Sequence, residues 1–255
     1  MRGYTSSSYG DAFADVYDDW YPEVSDVEAT VALMRRVAGD GGRVLELGVG
    51  TGRLALPMAD AGLRVTGVDA SRRMLDHLAS KDPRQTVTIV HGDMVDDLPA
   101  GSFDAVLVAY NTLFNLDSGE RQAACFHAVA ERLAPSGGFV VEAFVPVPHT
   151  GSQVSVRTIT ADRVVLSASA HRADDQTAEG QYIEITEGGG VRLRPWAIRW
   201  STVEQLDAMA AAAGLAPSER WGDVDGRPFT TDSERHLTIY GHVTSRAVSP
   251  DSTNL

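Results

Sequence analysis

The residues most able to do chemistry lie in a glycine-rich loop early in the chain. Residues 46–52 read E-L-G-V-G-T-G, which places glycine at positions 48, 50 and 52. Glycine adopts positive φ freely and lets a ligand approach the main chain without meeting a Cβ atom. The apolar run at residues 44–47 predicts a buried strand before the loop, and the residues from 53 to 61 predict a helix after it. A strand, a glycine loop and a helix N-terminus form a binding corner for a nucleotide-type ligand.

An acidic residue follows where such a corner meets a ribose. Residues 63–69 predict a second buried strand that ends in Asp69, 21 residues after Gly48. A carboxylate at the end of this strand accepts hydrogen bonds from ribose hydroxyls. Asp69 could instead cap the helix predicted over residues 71–80, but Ser71 can serve as that cap itself. Because NAD-binding proteins share this acid, it indicates a ribose and leaves the identity of the ligand open.

The spacing of the glycines distinguishes two kinds of ligand. A dinucleotide fingerprint G-x-G-x-x-G needs its third glycine at position 53, where this chain has Arg53. The pattern E-x-G-x-G-x-G at residues 46–52 instead resembles the first motif of the class I S-adenosylmethionine (SAM) dependent methyltransferases. The resemblance implies that eight residues of this region bind SAM: Glu46, Gly48, Val49, Gly50, Gly52, Arg53, Asp69 and Ala70. A structural glycine turn in another α/β protein is the alternative.

A further motif follows the third predicted strand, residues 87–90. His91-Gly92-Asp93-Met94 resembles the turn that grips adenine in this family. The resemblance implies that the Asp93 carboxylate accepts a hydrogen bond from the exocyclic amine and that the Met94 backbone N–H meets the ring. A surface turn can also read G-D. The occurrence of these motifs in the family's order favours SAM and disfavours a nicotinamide reductase.

The fourth predicted strand, residues 103–110, ends in a segment that concerns the acceptor. Families that methylate nucleobases or protein amides have N-P-P-Y or D-P-P-Y here, whereas this chain has Y-N-T-L from Tyr110. Tyr110 and Asn111 are expected to contact SAM. Small-molecule relatives show S-S-x-x-H-L, and their histidine aligns with Asn115, so a histidine base is expected to be missing there. Asn115 is a candidate for catalysis and for acceptor binding.

An aromatic segment, residues 9–22, precedes the first strand. Four of its apolar residues recur at three- and four-residue intervals, which predicts an amphipathic helix: Phe13, Val16, Tyr17 and Trp20. The segment resembles an F-A-x-x-Y-D element that covers the cofactor in many small-molecule methyltransferases, and the match implies that Tyr17 reaches the methionine end of SAM. A stripe that only docks a helix on the core is the alternative. Ser25 is expected to cap the helix that follows.

The pattern changes after the fifth predicted strand, residues 139–145. Between residues 151 and 200, alternating and β-branched runs are separated by polar turns, which predicts antiparallel strands that roof the pocket. Trp196 and Trp200 share a predicted strand face with Arg192 and Arg194, and the two tryptophans are the expected acceptor contacts. The alternatives are burial of the tryptophans against the core and a solvated edge for the arginines.

His149 lies in the loop between the fifth strand and this insertion. A hydroxyl acceptor needs a general base, whereas an amine needs only desolvation and deprotonation. His149 is therefore the candidate base for a hydroxyl acceptor. An exposed loop histidine without a catalytic role is the alternative.

These elements together predict an α/β fold: a doubly wound, mostly parallel seven-stranded sheet with an antiparallel β insertion after strand five. The expected boundaries are a disordered N-terminus over 1–8, a helical lid over 9–40 and a SAM-binding core over 41–150. The insertion, or acceptor lid, is expected over 151–200, a C-terminal helix and β-hairpin over 201–247, and a disordered tail over 248–255. Residues 135–138, P-S-G-G, are expected to form the turn into strand five.

Composition limits the partners and the cellular compartment. The formal net charge of −13 argues against a nucleic-acid partner, because binding to phosphates depends on clustered Lys and Arg. Apolar runs stay shorter than the roughly 18 residues of a membrane span, which predicts a cytoplasmic protein without a membrane partner. Cys125 is the single cysteine and the seven histidines are scattered, so no metal is expected.

The predicted function is methyl transfer from SAM to an oxygen, nitrogen or sulfur atom of a small molecule, with S-adenosylhomocysteine as the product. Lys81 is the sole lysine among 22 lysines and arginines, which indicates a GC-rich bacterial genome. A bacterial secondary metabolite, such as an antibiotic precursor, is the expected acceptor, and the enzyme is expected to be a monomer or homodimer. The alternative is a SAM-binding protein that does not methylate, acting as a cyclisation catalyst or a ligand-gated module on the same fold.

Overall fold

The structure is a computed structural model that describes residues 1–22 and 26–243, so the tail expected over 248–255 lies outside the described residues. The strands within those residues are β1 Arg43–Leu47, β2 Arg64–Asp69, β3 Val87–His91, β4 Phe103–Val108, β5 Leu133–Phe144, β6 Gly151–Ile159, β7 Arg163–Arg172, β8 Thr177–Thr186, β9 Val191–Arg199, β10 Leu215–Trp221 and β11 Arg235–His242. The helices are α1 Ser8–Phe13, α2 Tyr17–Trp20, α3 Val27–Ala38, α4 Ala55–Asp60, α5 Arg72–Lys81, α6 Gly119–Ala130 and α7 Val203–Ala212, with a 3-10 turn at Thr112–Asn115. In the described part of the chain, no helix is long and apolar enough to cross a membrane.

Seven strands form the main sheet in the order β10-β11-β5-β4-β1-β2-β3. Strands β1 to β5 pair in parallel, and β11 and β10 complete the sheet as an antiparallel hairpin. The chain order runs outward from β1 in both directions, so the connections after β1 and β4 leave a crevice at the carboxyl ends of the strands. This confirms the predicted doubly wound fold.

Apolar faces of the sheet are covered on both sides. On one side α6 packs Phe126 edge-on against Phe139 of β5 and Tyr240 of β11, with ring centroids 5.2 and 5.4 Å apart. On the other side α3 and α4 contribute Met34 and Met58, which are both fully buried. Because both faces of the sheet are covered, the sequences of its parallel strands are continuous apolar runs.

Side-chain caps fix where several helices begin. Ser71 accepts a hydrogen bond of 3.2 Å from Met74 N, as predicted for the start of α5. The predicted cap of α3, Ser25, lies outside the described residues. Asp26 caps α3 instead, because its carboxylate accepts a hydrogen bond from Ala29 N at 2.9 Å.

Residues 135–138 were expected to form a turn, and this expectation is wrong. They lie inside β5, where Gly138 pairs with Ala105 of β4, and a register shift accommodates the extra residues. A Cβ atom on Gly138 would lie 2.6 Å from Val37 Cγ1 of α3. Gly138 therefore allows α3 to pack closely against the sheet and does not form a turn.

Strands β6 to β9 form a separate antiparallel sheet, called the insertion sheet below, as predicted for residues 151–200. The N-terminal segment lies between this sheet and the core as two short helices, not one. Phe13 of α1 is fully buried and its ring packs edge-on against Tyr182 of β8. In residues 1–8, for which disorder was predicted, the Met1 ammonium lies 3.0 Å from the Glu179 carboxylate of β8.

Candidate active site

A cavity opens at the carboxyl ends of β1, β2 and β3, under the N-terminal segment. Eight of the predicted site residues line it: Tyr17, Gly48, Gly50, Asp69, Ala70, Asp93, Met94 and Asn115. Each of the three neighbouring strands places a carboxylate at this end, namely Glu46, Asp69 and Asp93. The topology thus brings together three carboxylates, of which Glu46 and Asp93 lie 47 positions apart in the sequence.

The glycines of the loop have different roles. Gly50 has a φ of +56°, and a Cβ atom there would meet nothing within 4 Å, so this residue leaves space for a ligand. At Gly48 a Cβ atom would lie 2.3 Å from Thr112 Cγ2, and at Gly52 it would lie 2.2 Å from Leu78 Cδ1. Gly48 and Gly52 are therefore required by packing within the protein, in addition to any contact with a ligand.

Asp69 lies at the end of β2, and its carboxylate holds the glycine loop through a hydrogen bond. Its Oδ2 accepts a hydrogen bond from Gly50 N and its Oδ1 accepts one from Ser71 N, both at 2.8 Å. Burial raises the pKa of Asp69, and these two backbone donors oppose that rise. Each oxygen keeps a further lone pair for a ribose hydroxyl, so the predicted role is compatible with this geometry.

Glu46 is a buried carboxyl group inside β1. It is 4% exposed, and its Oε2 has no hydrogen-bond partner in the described part of the structure. Burial raises its pKa to about 8, with Asp69 adding to the rise and Arg53 opposing it. A buried carboxyl oxygen without a donor is costly, and a cationic ligand group such as an ammonium would supply that donor.

Asp93 is held by a residue that the sequence did not reveal. Its Oδ1 accepts hydrogen bonds from Val95 N at 2.8 Å and from the Arg121 guanidinium at 2.6 Å. Arg121 lies in the first turn of α6, 28 residues later, and also binds Asp96. Oδ2 of Asp93 takes part in none of these bonds and is available to an adenine amine. No local spacing in the sequence links Arg121 to this turn.

Tyrosines form one wall of the site. Tyr17 hydrogen-bonds to Arg53, and burial raises its pKa. Its ring lies 5.1 Å from that of Tyr21, which lies 6.4 Å from that of Tyr110. Tyr9, which was not among the predicted site residues, lines the cavity beside Tyr17. We call Tyr9, Tyr17, Tyr21 and Tyr110 the tyrosine wall.

Tyr110 and Asn111 line a second cavity, at the carboxyl ends of β4 and β5. Both have positive φ, 47° and 64°, which is uncommon for residues other than glycine. Glu142 of β5 holds this bend, since its Oε2 accepts a hydrogen bond from Tyr110 N at 3.0 Å. The Asn111 side chain accepts one from Phe144 N at 2.7 Å, so it is used within the fold. Glu142 was missed, although a glutamate inside the apolar run F-V-V-E-A-F was a visible signal.

Three predicted residues lie away from both cavities. His149 is exposed in the loop before the insertion sheet, and its ring lies tilted beside that of His171, with ring centroids 4.2 Å apart. Trp196 packs against Gly180 of the neighbouring strand β8. Trp200 was expected beside it, but β9 ends at Arg199 and Trp200 packs in the main core at 8% exposure. The strand ends one residue too early for the predicted alternation to place both tryptophans on one face.

Val49 and Gly52 contribute to the loop rather than to the cavity wall. Val49 is buried against Gly67 of β2, and its backbone N–H donates to Val68 O at 3.0 Å. Arg53 hydrogen-bonds to Tyr17, and its charge is near enough to oppose the rise that burial causes in the pKa of Tyr17, Glu46 and Glu142. Val49 and Gly52 therefore hold the loop in place, and Arg53 supplies positive charge beside it.

The polar groups of the site correspond to the parts of SAM. Asp93 suits adenine, Asp69 the ribose and the orphaned Glu46 oxygen the ammonium of the methionine tail, in the order β3, β2, β1 across the sheet. Gly50 leaves the space that a cofactor needs beside the main chain. The donors and acceptors present therefore suit SAM.

The fold and the site define a doubly wound α/β protein that binds a nucleoside-type cofactor at its switch point. A sequence model described as a methyltransferase domain matches residues 44–137. The cypemycin N-terminal methyltransferase of a Streptomyces species is 31% identical over 207 residues, which cover 78% of this chain and 83% of that protein. The chain belongs to the SAM-dependent methyltransferases.

Two further relatives agree with this assignment. The structure of the CcbJ methyltransferase from Streptomyces caelestis superposes with a TM-score of 0.88 at 36% identity, covering 94% of this chain and all of that one. The second relative is the dTDP-3-amino-3,4,6-trideoxy-alpha-D-glucopyranose N,N-dimethyltransferase of Streptomyces venezuelae. It is 27% identical over 228 residues, which cover 84% of this chain and 94% of that protein. Both are named as methyltransferases, the second as an enzyme that transfers methyl groups to nitrogen, in agreement with the family assignment.

Proposed function

We propose that this enzyme methylates an amine nitrogen of a small bacterial secondary metabolite. One observation carries the choice of nitrogen: the described residues that line the two cavities include no histidine, and the buried carboxylate among them, Glu142, is better suited to take a proton from an ammonium than from a hydroxyl. A hydroxyl acceptor needs a tuned general base, whereas an amine needs only to lose its proton and its water. The names of two relatives support the proposal, because one is an N,N-dimethyltransferase of an amino sugar nucleotide and the other is an N-terminal methyltransferase.

The chain's own residues bind and orient the reactants. SAM, when bound, supplies a methyl group that its sulfonium makes electrophilic. Glu46, Asp69 and Asp93 hold the ammonium, ribose and adenine, which fixes the methyl group relative to the sheet. The tyrosine wall excludes water beside the methionine end. Holding the amine in line with the methyl group supplies most of the rate enhancement for such a transfer.

We further propose that the acceptor is a free metabolite and that the enzyme works in the cytoplasm as a monomer or homodimer. The net charge of −13 supports a partner other than nucleic acid, because a phosphate backbone would be repelled. The first cavity lies under the N-terminal segment, which contributes Tyr9 and Tyr17 to its lining, and this supports a small acceptor.

The test is a methyl-transfer assay with SAM labelled at its methyl group and with matched acceptors. One pair is a nucleotide-linked amino sugar and its hydroxyl counterpart, and another is a short peptide with a free or an acetylated N-terminal amine. We expect label to enter amine acceptors and not their matched partners. Transfer to the hydroxyl member alone would contradict the proposal, and turnover of SAM without a methylated product would favour a non-methylating role.

A further inference from the structure

We propose that the cavity beside the cofactor site binds the acceptor as a cation, with the Glu142 carboxylate receiving its ammonium group. The inference rests on the proposed function, since it concerns an amine acceptor. It adds a specific residue and a charge state of the substrate. The cavity has a volume of about 240 Å³ and is lined by Tyr110, Asn111, Glu142, Phe144, Glu234 and Arg235.

The position of the cavity follows from the order of the strands. The groups suited to adenine, ribose and methionine lie at the ends of β3, β2 and β1, and the next strands in the sheet are β4 and β5. A cofactor held in this order would have its methionine end on the side of β4 and β5. Glu142 lies there in β5, and the charge of Arg53, which hydrogen-bonds to Tyr17, affects its pKa. An acceptor at Glu142 is thus the neighbour of the methyl group.

The Glu142 side chain is held in place by a hydrogen bond to one of its two carboxylate oxygens. It is 8% exposed, and Oε2 accepts a hydrogen bond from Tyr110 N at 3.0 Å. Its backbone O accepts another from Asn111 N at 3.1 Å, so one residue supports both strained positions of the bend. Strained residues that are not glycine concentrate at functional sites. Oε1 takes part in neither bond and is the oxygen available to an ammonium.

The surroundings of Glu142 suit a cation. Burial raises the pKa of Glu142, while the Tyr110 N–H, Arg235 and Arg53 oppose the rise and Asp223 adds to it. Arg235 lies 3.8 Å from the Asp223 carboxylate, which offsets much of its positive charge. The Tyr110 ring borders the same cavity, and aromatic faces attract ammonium groups. The arginine charges keep Glu142 able to ionise, and the ring adds a second attraction for the ligand.

The same carboxylate also accepts the proton that the acceptor ammonium must lose before its nitrogen can be methylated. A secondary ammonium gives one proton to Glu142, which leaves a neutral amine and a protonated carboxyl group. The nitrogen lone pair then forms the N–C bond while the C–S bond breaks, and its electron pair stays on sulfur. The product is a tertiary ammonium beside a neutral thioether, so charge is conserved. Glu142 returns its proton to solvent when the product leaves.

Glu142→Gln is the sharpest variant, because the glutamine Oε1 can still accept the hydrogen bond from Tyr110 N while the negative charge is lost. With an amine acceptor from the panel above, we expect the KM for the amine to rise about tenfold or more, with the Kd for SAM unchanged. Glu131→Gln is the charge-matched control, since Glu131 is exposed at the end of α6. An unchanged KM in Glu142→Gln, with wild type active on the amine, would overturn the inference and leave the proposed function standing.

A binding measurement tests the inference without turnover. Saturation-transfer NMR on the protein saturated with S-adenosylhomocysteine compares piperidinium with tetrahydropyran, a neutral ring of the same size. We expect transfer to piperidinium in wild type and in Glu131→Gln, and its loss in Glu142→Gln. Thermal melting and S-adenosylhomocysteine calorimetry establish that each variant is folded. Equal signals from the two rings in wild type, or no signal from piperidinium, would refute a cation site here.

Discussion

The Asp18 carboxylate of α2 accepts a hydrogen bond of 2.6 Å from Thr51 Oγ1, inside the glycine loop. Its other oxygen accepts one from Lys81 Nζ at 2.9 Å. On the opposite side of the N-terminal segment, Asp15 forms an ion pair of 2.7 Å with Arg194, which is 1% exposed in the insertion sheet. The segment is therefore attached to both the core and the roof, and cofactor exchange requires some of these contacts to open.

Asp18→Asn should loosen this attachment. We expect SAM to dissociate several-fold faster in stopped-flow measurements, because the N-terminal segment opens more often. The neighbouring Asp19→Asn is the matched control, since Asp19 is exposed in the same helix. Equal dissociation rates for Asp18→Asn and wild type would show that the contact does not limit exchange.

The stability effect of Asp18→Asn should depend on pH. Partial burial disfavours ionisation of Asp18, but hydrogen bonds from Thr51 and Lys81 outweigh it and lower its pKa. A lowered carboxyl pKa contributes stability above the unfolded value of about 3.9 and loses it as pH falls through the folded value. The difference in Tm between wild type and Asp18→Asn should therefore be present at pH 7 and vanish in acid.

The N-terminal segment should respond to the cofactor in hydrogen exchange. We expect amides of residues 9–22 to exchange rapidly in the apo protein and to become protected when SAM or S-adenosylhomocysteine binds. The hairpin strand Leu215–Trp221, far from the cavity in the sheet order, serves as the internal control. Equal protection of residues 9–22 with and without ligand would make the segment a fixed part of the fold.

Tyr17→Phe should separate a ligand contact from a packing role. The variant keeps the ring beside Tyr21 and removes the hydroxyl that bonds to Arg53. We expect weaker SAM binding or slower turnover with little change in the Tm of the apo protein. Tyr17→Ala should have a larger effect, because it also removes a ring that excludes water. A large loss of apo stability in Tyr17→Phe with normal SAM binding would contradict a cofactor role.

Gly50→Val tests whether the glycine loop binds SAM, and Gly62→Val is the control for backbone strain. Gly50 and Gly62 both have positive φ and open space where a Cβ atom would lie, but only Gly50 borders the cavity. Each substitution should cost about 1–2 kcal/mol of stability through backbone strain. Only Gly50→Val should also abolish SAM binding in calorimetry, because its side chain occupies the cofactor's space. Normal binding by Gly50→Val would invalidate the assignment of the loop.

Glu46 should release a proton when SAM binds. Its pKa of about 8 means that the side chain is mostly protonated at pH 7 in the apo protein. An ammonium placed against it favours the ionised form, so up to about one proton should leave. Calorimetry in two buffers of different ionisation enthalpy measures this release, and Glu46→Gln should show none. Wild type that releases no proton would remove Glu46 from the ammonium site.

The raised pKa of Glu46 also affects the apo protein. The ionised form is disfavoured by burial, so this residue lowers the free energy of unfolding increasingly as pH rises from about 4.5 to about 8. Glu46→Gln lacks that dependence. We expect the variant to match wild type in Tm near pH 4 and to exceed it near pH 8.

The sequence by itself determined the fold and several of the residues that line the cavity at the ends of β1, β2 and β3. An apolar run that ends in glycine, such as the run before Gly48, indicates a strand buried on both faces and then a tight loop. Local steric constraints are enough to favour that structure. Asp69 and Asp93 could be placed because each directly follows a strand, and parallel strands end at the same edge of a sheet. Ser71 and Thr202 likewise cap their helices through contacts three residues away.

Only the tertiary structure decided which residues distant in the sequence meet around the two cavities. Arg121 meets Asp93 and Asp18 meets Thr51 because separate elements pack together, and no local spacing encodes such pairs. Glu142 becomes part of a cavity only once β4 and β5 lie side by side and the bend at Tyr110 is formed. Trp200 turned into the core because β9 ends at Arg199, an end set by pairing with β8 rather than by the alternation of side chains.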